Sequence, residues 1–272
     1  MRMKSYIDAM LARGKLSFDQ NEAVKALGVS SDAMLAAARR AQEAGLLLHP
    51  RRGFYVIVPP QARVFGAPPV NEIIDPLMKF EKARYYVGLL KAAEIHGAAH
   101  QAVMEFQIVC DKRLPEIHLG RSVIRPFFRK EWPDEILIDK RQTDAGTYRV
   151  SSATLTAFDL CRYLNAAGTL DAVATVVAEL AERINAEQFP QALAAVERPV
   201  AQRLGYILDQ VGQPKLADAL LDALKTDFRL ADFDPPQGEQ ENAQIDHRWK
   251  LRIHKPLETD LDPEGPHPGM GV

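Results

Sequence analysis

SSDAMLAAARRAQEAGLLLHPRRGFYVIVPP, residues 30–60, decides the fold. At about 100° per residue, Met34, Ala37, Ala38 and Ala41 share one face of a helix over its first half. Asp32, Ala36, Arg39 and Glu43 lie opposite, with Arg40 at the flank. Ser30 or Ser31 can cap the free amides of the first turn, and Gly45 suits the left-handed residue that ends a helix. The β-rich run that follows is interrupted by His49-Pro50-Arg51-Arg52-Gly53 and stopped by Pro59-Pro60. It reads as a hairpin over 46–58 with two arginines at its tip.

Upstream, a second helix is expected to start near Ser17, run through FDQNEAVKAL and close at Gly28. Val29 and Ser30 make the turn into the third helix. A first helix over 3–13 puts Tyr6, Ile7, Met10 and Leu11 on one side. Three helices and a β-ribbon make a winged helix-turn-helix over residues 1–58. In that fold the third helix enters the major groove of duplex DNA. The residues that would carry it are Ser31, Asp32, Ala36, Arg39 and Arg40, with Arg51 and Arg52 of the wing on backbone or minor groove.

Charge supports a polyanion partner for this part alone. Residues 1–58 hold nine Lys/Arg against five Asp/Glu, a net +4, whereas the whole chain of 272 residues is −2, leaving −6 elsewhere. No apolar run approaches the roughly 20 residues of a membrane span. The first residues lack the apolar centre of a signal peptide, and two cysteines are too few for a disulfide framework. The expected compartment is the cytoplasm, with no membrane partner.

Residues 59–72, with four prolines, read as a stiff linker. Beyond it the pattern is α+β: a helix over roughly 81–102, then strands at EFQIVCD, EIHL, RSVIRPFF, EILIDK and GTYRVS, then helices from Ser152 into the 220s. The expected architecture is a winged helix followed by a larger mixed α+β domain, 73–228, that ends in a helical bundle. Residues 229–272 read as an extended segment, partly disordered, with one strand-like run at HRWKLRIHK.

Two further constellations bear on chemistry. His96 and His100 have a metal-sharing spacing, but Gly97 stands where a zinc protease needs glutamate, so no metal or cofactor is expected. Glu105, Asp111, Glu116 and His118 flank neighbouring strands and leave a metal-dependent nuclease as the rival reading, without the lysine such a site uses. A third reading is a repressor that senses a small ligand. Arg113, Arg121, Arg125, Arg129 and Lys130 form a second basic cluster, expected to lie largely on one sheet face and to touch DNA backbone.

Three stretches together resemble the AbiEi family, antitoxins of type IV toxin–antitoxin systems. They are HPRRGFYVIVP, then KARYYVGLLKAAEIHGAAHQA with its Tyr-Tyr pair and Ala-Ala-x-x-His-Gly, then YRVSSATLTAFDLCRYL with Ser-x-x-x-Thr and Asp-Leu. The likeness covers roughly residues 5 to 225, and the tail after 229 has no counterpart. It implies a non-enzymatic protein whose winged helix represses its own operon at promoter repeats. It also implies a second domain that counters a nucleotidyltransferase toxin encoded next door, without tight binding of that toxin. On the same grounds His96 and Gly97 are structural.

Overall fold

The computed structural model describes residues 2–98, 103–225, 228–234 and 243–258. The head comprises α1 (Met3–Leu11), β1 (Ser17–Asp19), α2 (Gln20–Leu27), α3 (Ser31–Glu43), β2 (Leu47–Arg51) and β3 (Phe54–Ile57), with strand order β1-β3-β2. Ser17 does not cap α2. It starts a short strand opposite Val56, because Phe18 is needed in the core between Tyr6 and Tyr55, at 5.2 and 5.4 Å between ring centres. The cap falls to Asp19, whose carboxylate accepts from Glu22 N at 2.8 Å. Gly28 closes α2 at φ +65, and Ser30 Oγ accepts from Ala33 N to open α3. Met34, Ala38 and Ala41 are buried against Tyr6, Ile7, Met10 and Leu47.

β3 is buried on both sides. Tyr55 and Ile57 face the head core, and Phe54 and Val56 belong to a second core with α4 (Val70–Phe80). The expected spacer over 59–72 therefore holds structure: a 3-10 turn at Pro60–Ala62, and α4 from Val70 onward, starting directly after Pro69. Val70, Ile73, Ile74, Leu77 and Met78 are buried, so head and body share apolar surface.

The body is built on a six-stranded mixed sheet of order β6-β7-β5-β4-β9-β8. Its strands are β4 (Tyr85–Val87), β5 (Glu105–Cys110), β6 (Ile117–Leu119), β7 (Ser122–Phe128), β8 (Ile138–Thr143) and β9 (Gly146–Ser151). β4 and α5 (Leu89–Ile95) replace the single helix expected over 81–102. Tyr85-Tyr86-Val87 is taken as a strand because β5 and β9 pair it from either side. Helices α6 (Ala153–Arg162), α7 (Leu164–Ala167), α8 (Leu170–Leu180), α9 (Phe189–Ala194), α10 (Arg198–Gln210) and α11 (Pro214–Leu224) form a layer over the sheet, with α6 buried along its length.

The segment after 228 is not peripheral. β10 (Ala231–Asp232), β11 (Gln244–Asp246) and β12 (Leu251–Ile253) form a small sheet, and Trp249 is wholly buried against Gly205 of α10, where any Cβ would overlap its ring. Gln202 Nε2 donates to the carbonyls of Arg229, Trp249 and Lys250, tying the segment to α10. Residues 259–272, at the end of the segment expected to be partly disordered, lie outside the described residues. No described helix is long and apolar enough to cross a membrane.

Candidate nucleic-acid interface

α3 presents an uncovered face. Ser31, Asp32, Leu35, Ala36, Arg39, Arg40 and Glu43 are exposed, while Met34 and Ala38 on the opposite side are fully buried. Gln20 Nε2 donates to Ser31 Oγ at 2.8 Å, which ties the start of α3 to α2. Arg39 pairs with Glu43 at 3.1 Å, but both side chains are largely in water. Such a pair contributes about 0.3–0.5 kcal/mol and opens readily for a phosphate. Arg40 makes no ion pair among the described residues.

The two arginines of the hairpin tip have different fates. Arg52 is exposed. Arg51 is drawn into the body: its Nε lies 3.0 Å from Glu81 Oε1, and its Nη2 and Nη1 donate to the carbonyls of Pro115 and Glu116 at 2.8 and 3.4 Å. The expectation that both face DNA fails for Arg51, because a half-buried Glu81 needs a cation and the tip lies within its reach. Gly53 at φ +84 makes the tight turn possible. Its N–H donates to His49 Nε2 at 3.1 Å, so that nitrogen carries no proton. His49 stacks on Tyr55 at 4.5 Å, and burial lowers its pKa.

The second basic cluster is not one surface. Arg129 is wholly buried, with Nη1 2.5 Å from Asp159 Oδ1 and 2.9 Å from Tyr86 Oη, and with Nη2 donating to Ala195 O. Burial alone would lower its pKa; Asp159, Tyr86 and Tyr163 together outweigh that and raise it. Arg125 is held between Glu105 at 2.7 Å and Glu116 at 2.9 Å. Arg113 lies over the Phe128 ring at 4.3 Å. Arg121 and Lys130 are exposed, and Lys130 stands 3.9 Å from Glu131. Of β7 only Ile124 is buried, and the cations scatter because Arg125 and Arg129 each turn to a carboxylate of the fold rather than to one shared face.

The carboxylates of the nuclease reading are likewise engaged by cations. Glu105 and Glu116 converge on Arg125, and Asp111 grips Arg84 at 2.7 Å. Among the described residues no three His, Cys, Asp or Glu side chains are placed to hold a metal. His96 Nε2 sits 2.7 Å from Ser151 O, to which it must donate. His100 lies outside the described residues.

Sequence reasoning missed the centre of the body. Tyr86 Oη donates to Asp159 Oδ2 at 2.7 Å, burial followed by the Asp159 charge raises the Tyr86 pKa, and Arg129 bonds both. Beside it Ser151 Oγ and Thr156 Oγ1 are 2.7 Å apart, and Ser152 Oγ accepts from Leu155 N. The Tyr-Tyr and Asp-Leu motifs thus meet in one buried cluster with Arg129, and the His-Gly and Ser-x-x-x-Thr motifs meet in a second, around Ser151 and Thr156. The available signal was Asp159 itself, a lone carboxylate in the apolar run TAFDLC that demanded a cation.

Residues 86–210 match the family model described as the AbiEi antitoxin C-terminal domain. No curated protein matches the chain. The fold is similar to the crystal structure of the RV2827C protein from Mycobacterium tuberculosis, with a TM-score of 0.66 over 90% of this chain and 89% of that one. At 16% identity that likeness concerns the fold alone.

Proposed function

We propose that the chain, whose residues 86–210 match the AbiEi antitoxin C-terminal domain, is a type IV antitoxin that also represses its own operon. The head is the winged helix of that reading, with α3 in the major groove and Arg52 on the backbone. Residues 73–228 counter a cognate nucleotidyltransferase toxin without a tight complex. No catalytic residue and no cofactor enters this account, and the compartment is the cytoplasm.

One observation carries the DNA-binding part. α3 buries Met34, Ala38 and Ala41 and leaves Ser31, Asp32, Ala36, Arg39 and Arg40 uncovered, in a segment with a net charge of +4. A helix held so firmly on one side and so open on the other presents a rigid edge to a groove. The test is a reporter under the chain's own promoter, without the toxin gene. Wild-type protein represses it; Arg39→Ala/Arg40→Ala releases it while still protecting cells from the co-expressed toxin. Full repression by the double variant would sink the assignment of α3.

A ligand-sensing repressor is the second reading, favoured by a cleft of about 620 Å³ where head and body meet. Its walls include Phe18, Phe54, Glu72 and Phe80, beside the Lys15–Glu22 and Lys79–Asp75 pairs. A metabolite that shifts the melting temperature and releases the promoter would favour it.

A further inference from the structure

Within the DNA-binding reading, on which this inference rests, the first two turns of α3 do not carry the side chains that most often read guanine. A recognition helix addresses base edges with its N-terminal residues. Here these are Ser31, Asp32, Leu35 and Ala36, all exposed, whereas Arg39 and Arg40 come later, where they suit the phosphates. Leu35 is 40% exposed although Met34 beside it and Ala38 one turn on are fully buried. Val29, in the turn that leads into α3, is 37% exposed. Leu35 stands at the flank of the uncovered face, beside Asp32 and Ala36, and the part of it left in water forgoes the gain of burying it inside the head.

In the major groove each side chain has a chemical complement. The Asp32 carboxylate only accepts and suits a cytosine amino group. Leu35 and Ala36 suit the 5-methyl group of thymine, while nothing in these turns offers the paired donors that the acceptors of guanine require. We propose that Leu35 is a specificity-determining residue that reads a thymine 5-methyl group, so that this antitoxin selects a thymine-containing step rather than a guanine-centred one. The positive head supplies attraction for any duplex, and Leu35 supplies the choice among them.

The experiment is selection of the full-length chain on short random DNA duplexes, followed by replacement of each thymine in the selected duplex by deoxyuridine, which removes only the methyl group. For wild-type protein, one replacement should weaken binding roughly fourfold, the transfer of a single methyl group. Leu35→Ala should bind the thymine and uracil duplexes equally, and Leu35→Met, which keeps apolar reach, should retain part of the preference. Matched melting temperatures establish that the variants are folded, as expected for an exposed helical site. If no uracil replacement matters, or Leu35→Ala shows the same loss as wild type, the inference is overturned while DNA binding stands. If no duplex is enriched at all, both readings fall together.

Discussion

α3 and the β6–β7 ribbon both carry clustered arginines, and the two regions use them in opposite ways. On α3 the opposite face is filled by Met34, Ala38 and Ala41, so helical periodicity alone forces Arg39 and Arg40 into solvent. In the ribbon, nearly every residue of β7 is partly buried, and periodicity assigns no free face. Arg125 is spent on Glu105 and Glu116, and Arg129 vanishes beside Asp159. The hairpin tip compresses the same contrast into adjacent residues, with Arg51 turned inward to Glu81 and Arg52 outward. A run of cations is a binding surface only where its carboxylate partners release it readily, as the exposed Glu43 does Arg39.

The strongest way to break this contrast is at Arg129. Arg129→Ala leaves Asp159 buried without its cation and should cost about 3–5 kcal/mol, read by urea denaturation. An Arg129→Met/Asp159→Leu double variant should regain much of that loss. If Arg129→Ala unfolds like wild type, the residue is not the internal partner described here. Next in size is Gly205→Ala, whose methyl group meets the Trp249 ring. Overpacking of about 1–3 kcal/mol is expected, with a red-shifted tryptophan emission as the segment after 228 lifts from α10.

The hairpin tip sharpens the comparison directly. Arg51→Ala should destabilise the fold by about 1–3 kcal/mol, because Glu81 loses its close partner and keeps only Lys112 at 3.9 Å, and should leave the salt slope of DNA binding unchanged. Arg52→Ala should do the reverse, with an unchanged melt and a slope shallower by about one. The smallest effect is on pH. Burial depresses the His49 pKa, so the folded head binds this proton less readily than the unfolded chain does. Stability should therefore decline slightly as pH falls below about 6.5 and through the lower folded value, and His49→Asn should flatten that decline in pH-dependent melts.

Much of the architecture could be read from residues alone because its signals are local. Gly28 and Ser30 punctuate α2 and α3, turn residues separate β5 through β9, and Ser152 opens α6. What escaped depends on partners distant in sequence. Tyr85–Val87 is only a strand because Val109 and Val150 flank Tyr86 and Val87, and without them KARYYVGLLKAAEI reads as a helix. Trp249 has a place only because Gly205 leaves one. Nothing near Arg51 announces Glu81, and nothing near Arg129 announces Asp159. The α3 side of the candidate interface was therefore legible, and the division between surface and interior arginines was not.

The central claim is that α3 is the surface this chain offers to DNA. The direct measurement is the salt dependence of binding between the full-length chain and a duplex from its own promoter, for wild type and for Arg39→Ala/Arg40→Ala. The account predicts a linear fall of log affinity with log salt, and a slope about two units shallower in the double variant at an unchanged melting temperature. An identical slope and affinity for both proteins would contradict it.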